Sequence, residues 1–431
     1  MRRVFHSLGG ATLGLLLLAG TAAAEGPGET PDTSLAKEVE NYLDEVQGGS
    51  EDPTTFRMFW KEGLRGETSD GMFKIKIFGR LMVDSFWISS DDFDSEVTAD
   101  GVFFRRVRLG MEGEVYKNMV FKVQLDFAKG DEVELKDVYM GLVNLPVVGE
   151  WLVGHFKEPF GLEELTSSKY ITFIERSGPT NAFAPSRHTG TQFSNTVGSE
   201  DRVLWAIGLF RNSDDALGGS AREDGGYNLT FRIAAFFLED KESGRVVHVG
   251  FGLSYRDPEG ESTRFRARFG PGTGDRLVDT GPLDAEDLLL WNFELAMTWK
   301  SFHAALEFFA AEVSAPAGSP EPGFTGWYVE IGYWITGERR AYKGHQFGRT
   351  KPKRNFHNSS GPGGWQVAFR YDTLDLTDGG VAGGVQDNLT FGLNWHMNPN
   401  ARVMFNVVFT DLSDGATGDL TSFITRFQFD F

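Results

Sequence analysis

Apolar and polar side chains alternate with a period of two along most of the chain after residue 70. The last nine residues, 423–431, place four phenylalanines on one face of an extended strand and Arg426, Gln428 and Asp430 on the other. An aromatic face with no later segment to cover it is typical of a membrane barrel, in which lipid solvates the apolar face and lumen water solvates the polar face. A buried strand of a soluble sandwich is the alternative that this strand alone leaves open.

The same pattern recurs in runs of about ten residues, the length that a tilted strand needs to cross a bilayer. It predicts an all-β fold, a transmembrane antiparallel β-barrel of about sixteen strands. The predicted strands are 71–89, 102–114, 118–128, 133–143, 150–156, 190–198, 202–212, 226–237, 245–256, 288–300, 302–313, 326–337, 364–375, 387–396, 402–411 and 420–431.

Short and long connections alternate between these strands, as expected of a barrel whose two rims face different compartments. The connections at 376–386 and 412–419 are among those expected to be long. The connection at 338–363 is also long but falls among the short, periplasmic ones. Either a strand is miscounted there, or a basic insert folds inward.

The N-terminus predicts export from the cytoplasm. Arg2 and Arg3 precede a short apolar core, and Ala22-Ala23-Ala24 forms a small-residue cleavage site, so residues 1–24 are expected to be a signal peptide. Residues 25–70 are expected to be a periplasmic linker with a short helix at 34–47, which either self-associates or is marginal and without specific function. The barrel domain is then 71–431.

Composition narrows the function classes. The formal net charge of −19 argues against nucleic acid as a partner. No run of 18 apolar residues follows the leader, so the chain is not expected to cross a membrane with helices, and the absence of cysteine excludes disulfides and thiolate metal sites. The eight histidines show no metal-binding spacing, and no nucleophile or phosphate-loop motif occurs. We therefore expect no catalytic residues, no metal and no cofactor, and a protein that is not an enzyme.

Candidate chemistry is concentrated in arginines. Arg264, Arg266 and Arg268 alternate with apolar residues and so share one face of an extended segment. Guanidinium groups suit phosphate and carboxylate oxygens, and a row of weak sites is what anion conduction needs. Arg106 and Arg108 likewise share a strand face. The pattern favours an anion track over a solvated polar loop, although spacing alone leaves both open.

A second concentration of positive charge lies in the long connection at 338–363. Its members are Arg339, Arg340, Lys343, Arg349, Lys351, Lys353 and Arg354. The sequence favours a solvated periplasmic loop over an anion-collecting funnel.

The segment from Gly154 to Arg176 gives the chain a family resemblance. It contains Phe160-Gly161-Leu162-Glu163 and Thr166-Ser167-Ser168-Lys169, and it resembles the phosphate-selective porins, the O and P porins. Weaker matches in the same order cover about residues 71–431; they include Phe78-Gly79-Arg80-Leu81, Phe104-Arg105-Arg106, Thr263-Arg264-Phe265-Arg266-Ala267-Arg268 and Gly392-Leu393-Asn394-Trp395.

The resemblance implies a sixteen-stranded barrel in the bacterial outer membrane, usually a homotrimer, whose loops fold inward and whose arginines draw anions through the pore. The matching arginines are Arg80, Arg105, Arg106, Arg264, Arg266 and Arg268. The expected partners are small anionic solutes, outer-membrane lipids and other copies of the chain. The aromatic strand ending at Phe431 also resembles the signal that such barrels present to their assembly machinery.

Three positions depart from the family pattern at the constriction. Glu164 stands where phosphate-selective members carry a lysine, Val120 where they carry a second lysine, and Lys136 where they carry an acidic residue. The resemblance and the arginine track imply passive diffusion of small anions, phosphate or polyphosphate-like, through the pore. The alternative is a general porin of the same fold with altered or weak selectivity, for carboxylates or cations, because of Glu164.

Overall fold

The computed structural model describes residues 55–94, 96–212, 226–240, 244–258, 262–357 and 361–431, together with Lys37. The predicted signal peptide, most of the linker and, apart from Lys37, the predicted helix at 34–47 lie outside the described residues. Among the described residues, no helix is long and apolar enough to cross a membrane. Nearly all of the regular secondary structure in these residues is β-strand.

Twenty strands follow one another in the described residues. They are β1 (Phe56–Trp60), β2 (Leu64–Thr68), β3 (Phe73–Ser89), β4 (Asp100–Val115), β5 (Met119–Asp126), β6 (Glu134–Leu145), β7 (Gly149–Lys157), β8 (Arg187–Val197), β9 (Val203–Arg211), β10 (Tyr227–Asp240), β11 (Arg245–Arg256), β12 (Arg266–Ala267), β13 (Val278–Asp279), β14 (Asp287–Trp299), β15 (Phe302–Ser314), β16 (Gly323–Trp334), β17 (Gly364–Asp378), β18 (Val381–Asn398), β19 (Ala401–Ser413) and β20 (Gly418–Asp430). Two short helices, α1 (Leu162–Leu165) and α2 (Gly178–Phe183), lie between β7 and β8.

Sixteen of these strands close into an antiparallel barrel. Each strand from β3 to β11 and from β14 to β20 pairs with its neighbour in sequence, and β20 returns to β3 with Phe423 opposite Trp87 and Asp430 opposite Arg80. The closing strand shows the predicted alternation, because Arg426, Gln428 and Asp430 point inward and are buried. The predicted barrel of sixteen antiparallel strands is therefore confirmed.

The outward face of the barrel is apolar and exposed. On β20, Phe423, Phe427 and Phe429 are 39%, 51% and 43% exposed, whereas their inward neighbours are at most 3% exposed. Water would leave this face unsolvated, whereas lipid solvates it, and the closed ring leaves no unpaired strand edge in the wall.

The structure differs from the sequence-based expectations at residues 56–68 and at two connections expected to be long. Residues 56–68, which were assigned to the linker, form the hairpin β1–β2, which adds to the edge of β3. The connection expected to be long at 412–419 shortens to residues 414–417, and the one at 376–386 is only the tight turn Gly379-Gly380, because β17 and β18 continue past their predicted ends. Both glycines have positive φ, 57° and 86°, which explains how the chain reverses in two residues.

Three connections fold into the barrel and fill much of its interior. We call residues 158–186 the inner loop, residues 262–286 the upper insert and residues 335–357 the basic insert. The inner loop and upper insert come from the end with long connections, and the basic insert comes from the opposite, short-turn end. Their phenylalanines build a core inside the barrel with inward residues of β14–β16; its aromatic rings include Phe160, Phe183, Phe265, Phe269, Phe309, Phe324, Tyr328 and Phe347.

The basic insert explains why the connection at 338–363 is long although it lies at the short-turn end. The sixteen strands were counted correctly, and the insert folds inward rather than forming a solvated loop. Arg340 is 6% exposed and donates to the Thr172 hydroxyl at 2.9 Å and the Tyr170 carbonyl at 2.7 Å, both in the inner loop. Arg349 pairs with Asp430 of β20 at 2.9 Å. Lys351, Lys353 and Arg354 remain exposed at the rim.

Candidate functional site: a basic cavity beside the inner loop

The inner loop docks on one side of the barrel through its own backbone N–H groups. The carboxylate of Glu307 on β15 accepts from the N–H groups of Leu162 and Glu163, both at 2.7 Å. Further along, Asp372 on β17 accepts from the N–H of Gly178 at 3.0 Å. These two carboxylates accept from N–H groups that have no partner within α1 and α2, at the starts of the two helices. We call Glu307 and Asp372, together with the neighbouring acidic residues Glu294 and Glu330, the acidic wall.

Local sequence explains the course of the loop. Gly161 has φ 75°, a conformation that a residue with a Cβ adopts at a cost, and it turns the chain so that Phe160 and Leu162 are both buried. The hydroxyl of Ser177 caps α2 by accepting from the N–H of Thr180, and Pro179 follows in the first turn. The Phe-Gly-Leu motif thus fixes where the loop contacts the acidic wall.

Polar side chains of the closing strands hold the other side of the loop. Arg402 donates to the Ile171 carbonyl at 2.9 Å, and Gln428 donates to the Lys169 carbonyl at 3.2 Å. Arg426 reaches the Ile174 carbonyl. The inward polar face of β20 therefore lies in the lumen as predicted, but it is covered by the inner loop instead of being open to water.

The docked loop leaves a cavity of about 580 Å³ against the opposite side of the barrel, formed by β3–β10. Ten of its lining residues are basic: Arg80, Arg105, Arg106, Arg108, Lys122, Lys136, Lys157, Arg176, Arg187 and Arg232. Only three, Asp137, Glu150 and Glu164, are acidic. The excess of positive charge attracts anions and repels cations, because low-dielectric walls focus the field.

Arg80 and Arg106 are the most exceptional members of this lining, since both are buried and neither has a carboxylate partner within the described chain. Arg106 is 4% exposed, and within the described residues its one polar side-chain contact is a long one, 3.6 Å, to the Met82 sulfur. Arg80 is 8% exposed and donates to the Ser168 hydroxyl at 2.6 Å. A buried cation is costly unless it is compensated, so both guanidinium groups favour an anion beside them.

A smaller cavity of about 140 Å³ lies under the upper insert, toward the end with long connections. Arg266, Arg268 and Arg276 line it, and Arg105 and Arg176 line both cavities. Arg105 forms a bidentate pair with Glu175, at 2.7 and 3.0 Å, at this junction. The two cavities therefore form a continuous series of basic side chains from the upper insert to the inner loop.

Five of the six arginines predicted for the pathway line these cavities, and the sixth does not. Arg264 lies 45% exposed and makes a bidentate pair with Asp279, 2.6 Å at each contact. The upper insert folds back through β12–β13, which places Asp279 beside Arg264. The alternation of arginines with buried Phe265, Ala267 and Phe269 is as predicted, but only part of the arginine row reaches a cavity.

Glu164, where the sequence reverses the family's charge, is compensated by two neighbours. Its carboxylate lies 3.0 Å from Lys157 and 3.1 Å from Arg176. Burial alone would raise the pKa of this carboxyl, but Arg176 and Lys157 outweigh burial and lower the pKa below its usual value. The three side chains together carry one positive charge, so Glu164 does not make this part of the lining acidic.

Lys136, the second constriction candidate, also lines the larger cavity. It is 6% exposed and lies 3.0 Å from Glu134, its neighbour on β6. Several basic residues of the lining escaped the sequence analysis, among them Lys157, Arg187 and Arg276. Lys157 follows the alternation of β7, but Arg187 and Arg276 show no sequence signal that separates them from surface cations.

The inner loop also carries a group that titrates near neutrality. Burial, reinforced by the nearby positive charge of Arg80, lowers the pKa of Lys169 to about 7. Lysine is cationic below its pKa, so anion conductance should fall as pH rises through this value. A unit charge ~10 Å from the path through water is worth about 0.4 kcal/mol, so the step should be roughly twofold.

Single-channel conductance in chloride, measured across this pH range, checks the prediction. Lys169→Met should lose the step at about pH 7. The assignment to Lys169 is wrong if the variant keeps the wild-type step unchanged.

The fold and the basic cavity together define an outer-membrane porin. Residues 75–431 match the family described as phosphate-selective porin O and P, and the chain belongs to this family. The chain is 28% identical over 425 residues to Porin O of Pseudomonas aeruginosa, and the match covers 86% of this chain and 91% of that protein. Family membership confirms the resemblance seen in the sequence and indicates a channel of the bacterial outer membrane rather than an enzyme.

Solved structures agree on the fold. The anion-selective porin from Comamonas acidovorans is similar with a TM-score of 0.53 and 10% identity, covering 83% of this chain and all (100%) of that one. OmpT of Vibrio cholerae, solved in its trimer form, is similar with a TM-score of 0.52 and 12% identity, covering 83% of this chain and 99% of that one. At these identities the likeness concerns the barrel alone.

Proposed function

We propose that this porin conducts small anions, phosphate or polyphosphate-like, by passive diffusion along the arginines of the two cavities. The observation that carries the proposal is the pair of buried guanidinium groups, Arg80 and Arg106, which face the larger cavity and lack a carboxylate partner within the described chain. Guanidinium forks suit the tetrahedral oxygens of phosphate.

In the proposed pathway, Arg266 and Arg268 collect anions at the upper insert and Arg105 passes them to Arg106 and Arg80. Conduction needs sites that hold an anion weakly, and most of the lining arginines are partly neutralised by carboxylates such as Glu175 and Asp126. Arg264 has no part in this pathway, because it lines neither cavity and its charge is paired with Asp279. Its role is to stabilise the upper insert.

The alternative of a general or cation-preferring porin rested on Glu164. The ion pairs of Glu164 with Lys157 and Arg176 weaken that alternative, because the carboxylate neutralises protein cations instead of presenting an open negative charge. Glu164 should still weaken phosphate binding relative to a lysine at the same position. We therefore propose anion preference with reduced affinity for phosphate.

Phosphate block of the chloride conductance tests this proposal. Wild-type channels should be blocked weakly, and Glu164→Lys should be blocked roughly tenfold more tightly, since two charge units at ~6 Å in water contribute about 1.4 kcal/mol. Glu164→Gln changes the charge by one unit without adding a cation and should give about half of this effect in free energy. Absence of block in both wild type and Glu164→Lys would contradict phosphate as a solute.

Assembly belongs to the same proposal. We propose that residues 1–24 direct export, that residues 25–54 lie in the periplasm, and that the strand ending at Phe431 engages the barrel-assembly machinery. A homotrimer is supported by the trimer form of OmpT and by the family resemblance. The short-turn end then faces the periplasm.

A further inference from the structure

The hairpin β1–β2 carries a second apolar surface that the channel does not use. It ends at Thr68, five residues before β3 begins at Phe73, and pairs through β2 with the first part of β3, with Leu64 opposite Ile77 and Gly66 opposite Ile75. The closing strand pairs with β3 only from Gly79 onward, where Phe431 and Gly79 exchange two backbone hydrogen bonds. The hairpin therefore continues the barrel wall at the short-turn end, beyond the point where β20 stops.

One face of the hairpin is apolar. Phe56, Met58 and Trp60 alternate along β1 and share that face, and they are 49%, 59% and 61% exposed. Register places them opposite Thr68, Gly66 and Leu64 of β2, in line with Ile75 and Ile77 of β3. Those isoleucines lie on the same face of β3 as lipid-facing Leu81, because all three have odd positions in one regular strand.

Ring contacts join this face to the lipid-facing band of the barrel. The Trp60 ring stacks on Phe431 with centroids 5.9 Å apart, and Phe431 contacts Phe429 at 6.0 Å. Phe429 is one of the exposed outward rings of β20. The apolar face of the hairpin is therefore an extension of a surface that already contacts lipid.

The opposite face carries mainly charged side chains, together with Phe59, which is 37% exposed. Arg57 lies 3.7 Å from Glu67 across the hairpin, and below it Lys76 and Lys74 of β3 pair with Glu112 and Glu114 at 3.2 and 3.1 Å. This face continues the inward surface of β3 and is suited to water. The hairpin is thus amphipathic in the same sense as the barrel wall.

The unpaired edge of the hairpin limits how deep in the membrane the hairpin can lie. Within the described residues β1 pairs only with β2, so its outer backbone N–H and C=O groups are unpaired. Unpaired backbone groups are excluded from the hydrocarbon core, while an exposed aromatic face is unfavourable in water. The headgroup region satisfies both requirements, and it is also where tryptophan concentrates in membrane proteins.

We propose that hairpin β1–β2 is an interfacial anchor whose Phe56, Met58 and Trp60 side chains insert among phospholipids of the leaflet at the short-turn end. The occupant of this face is lipid, not a second copy of the chain, because the face is continuous with the lipid-facing band through Trp60 and Phe431. The anchor holds the start of the barrel at the membrane surface. This proposal does not depend on which solute the pore conducts.

The absence of cysteine from the chain allows a clean test with single labels. An environment-sensitive fluorophore is attached to Met58→Cys, and to Arg57→Cys as the matched control one residue away on the charged face. Phe427→Cys marks the lipid-facing band. Full-length protein is refolded into phosphatidylethanolamine-containing vesicles, and folding is verified by the heat-dependent gel mobility of the barrel.

The Met58 label should emit at shorter wavelength than the Arg57 label and should be quenched by a nitroxide near the lipid headgroup more than by one deep in the acyl chain. The Arg57 label should be quenched mainly by aqueous iodide. The proposal fails if iodide quenches both labels equally, which places the hairpin in water. It also fails if neither the lipid nitroxides nor iodide quench the Met58 label, which indicates that a protein partner, such as a second copy, covers this face. Phe56→Cys repeats the test on the same face should Met58→Cys not fold.

Discussion

Arg106→Gln should reduce the preference for anions over cations by about tenfold. The guanidinium of Arg106 is buried against the larger cavity, with no carboxylate partner in the described chain, so its charge acts on the permeating ion at almost full strength. At ~5–6 Å and an effective dielectric of ~40, one charge contributes about 1.5 kcal/mol, which corresponds to that tenfold change. The permeability ratio follows from zero-current potentials across a KCl gradient.

Arg264→Gln is the matched control for this prediction. It removes the same charge from a residue of the same predicted arginine row, but that charge is paired with Asp279 and faces neither cavity. Its permeability ratio should stay within about twofold of wild type, as expected for an exposed ion pair. Equal losses in the two variants would mean that total charge, and not position along the cavity, determines selectivity.

Arg426→Met should destabilise the folded barrel by about 3–5 kcal/mol. Arg426 is fully buried (0% exposed) and donates to both oxygens of Asp84 at 2.6 Å and to Glu175 at 2.8 Å. Methionine fills a similar volume but leaves the buried Asp84 carboxylate without its partner. Because Arg426 also holds the Ile174 carbonyl, the inner loop should loosen as well, and the open-channel current should become noisier.

Urea unfolding of the refolded protein in lipid vesicles, followed by tryptophan fluorescence, measures this loss. The control is Arg264→Met, which breaks a pair of the same bidentate geometry, also 2.6 Å at each contact, that is 45% exposed on the arginine side. That variant should change the free energy of unfolding by under about 1 kcal/mol. A similar loss in both variants would show that burial of the Arg426 pair is unimportant.

Local pattern was sufficient to predict the barrel, because each wall residue faces either lipid or lumen and the side-chain period of two records that choice. The inward face of β20 and the apolar outward face follow from this rule. The hairpin β1–β2 escaped it, since each strand has five residues and Phe59 places an aromatic ring on the otherwise polar face of β1. Segments that short carry too few alternations to separate a strand from a linker.

The site was predictable where it depends on strand faces and unpredictable where it depends on loop folding. Arg80 and Arg106 belong to β3 and β4, and alternation turns Arg106 inward together with Arg108. Arg105 also reaches the cavity because a bulge shifts the register of β4 between Phe104 and Arg106, which the sequence does not reveal. Arg264 and Arg266 look alike in sequence, yet the fold of the upper insert pairs one with Asp279 and leaves the other beside a cavity. Likewise, only the docked inner loop reveals that Glu164 lies between Lys157 and Arg176.

The zero-current potential of the wild-type channel under a KCl gradient tests the central claim most directly. If the two cavities form an anion pathway, chloride crosses faster than potassium and the dilute side becomes negative. A dilute side that becomes positive would show a cation-selective pore and would contradict the account, because ten basic residues against three acidic ones in the larger cavity cannot favour cations.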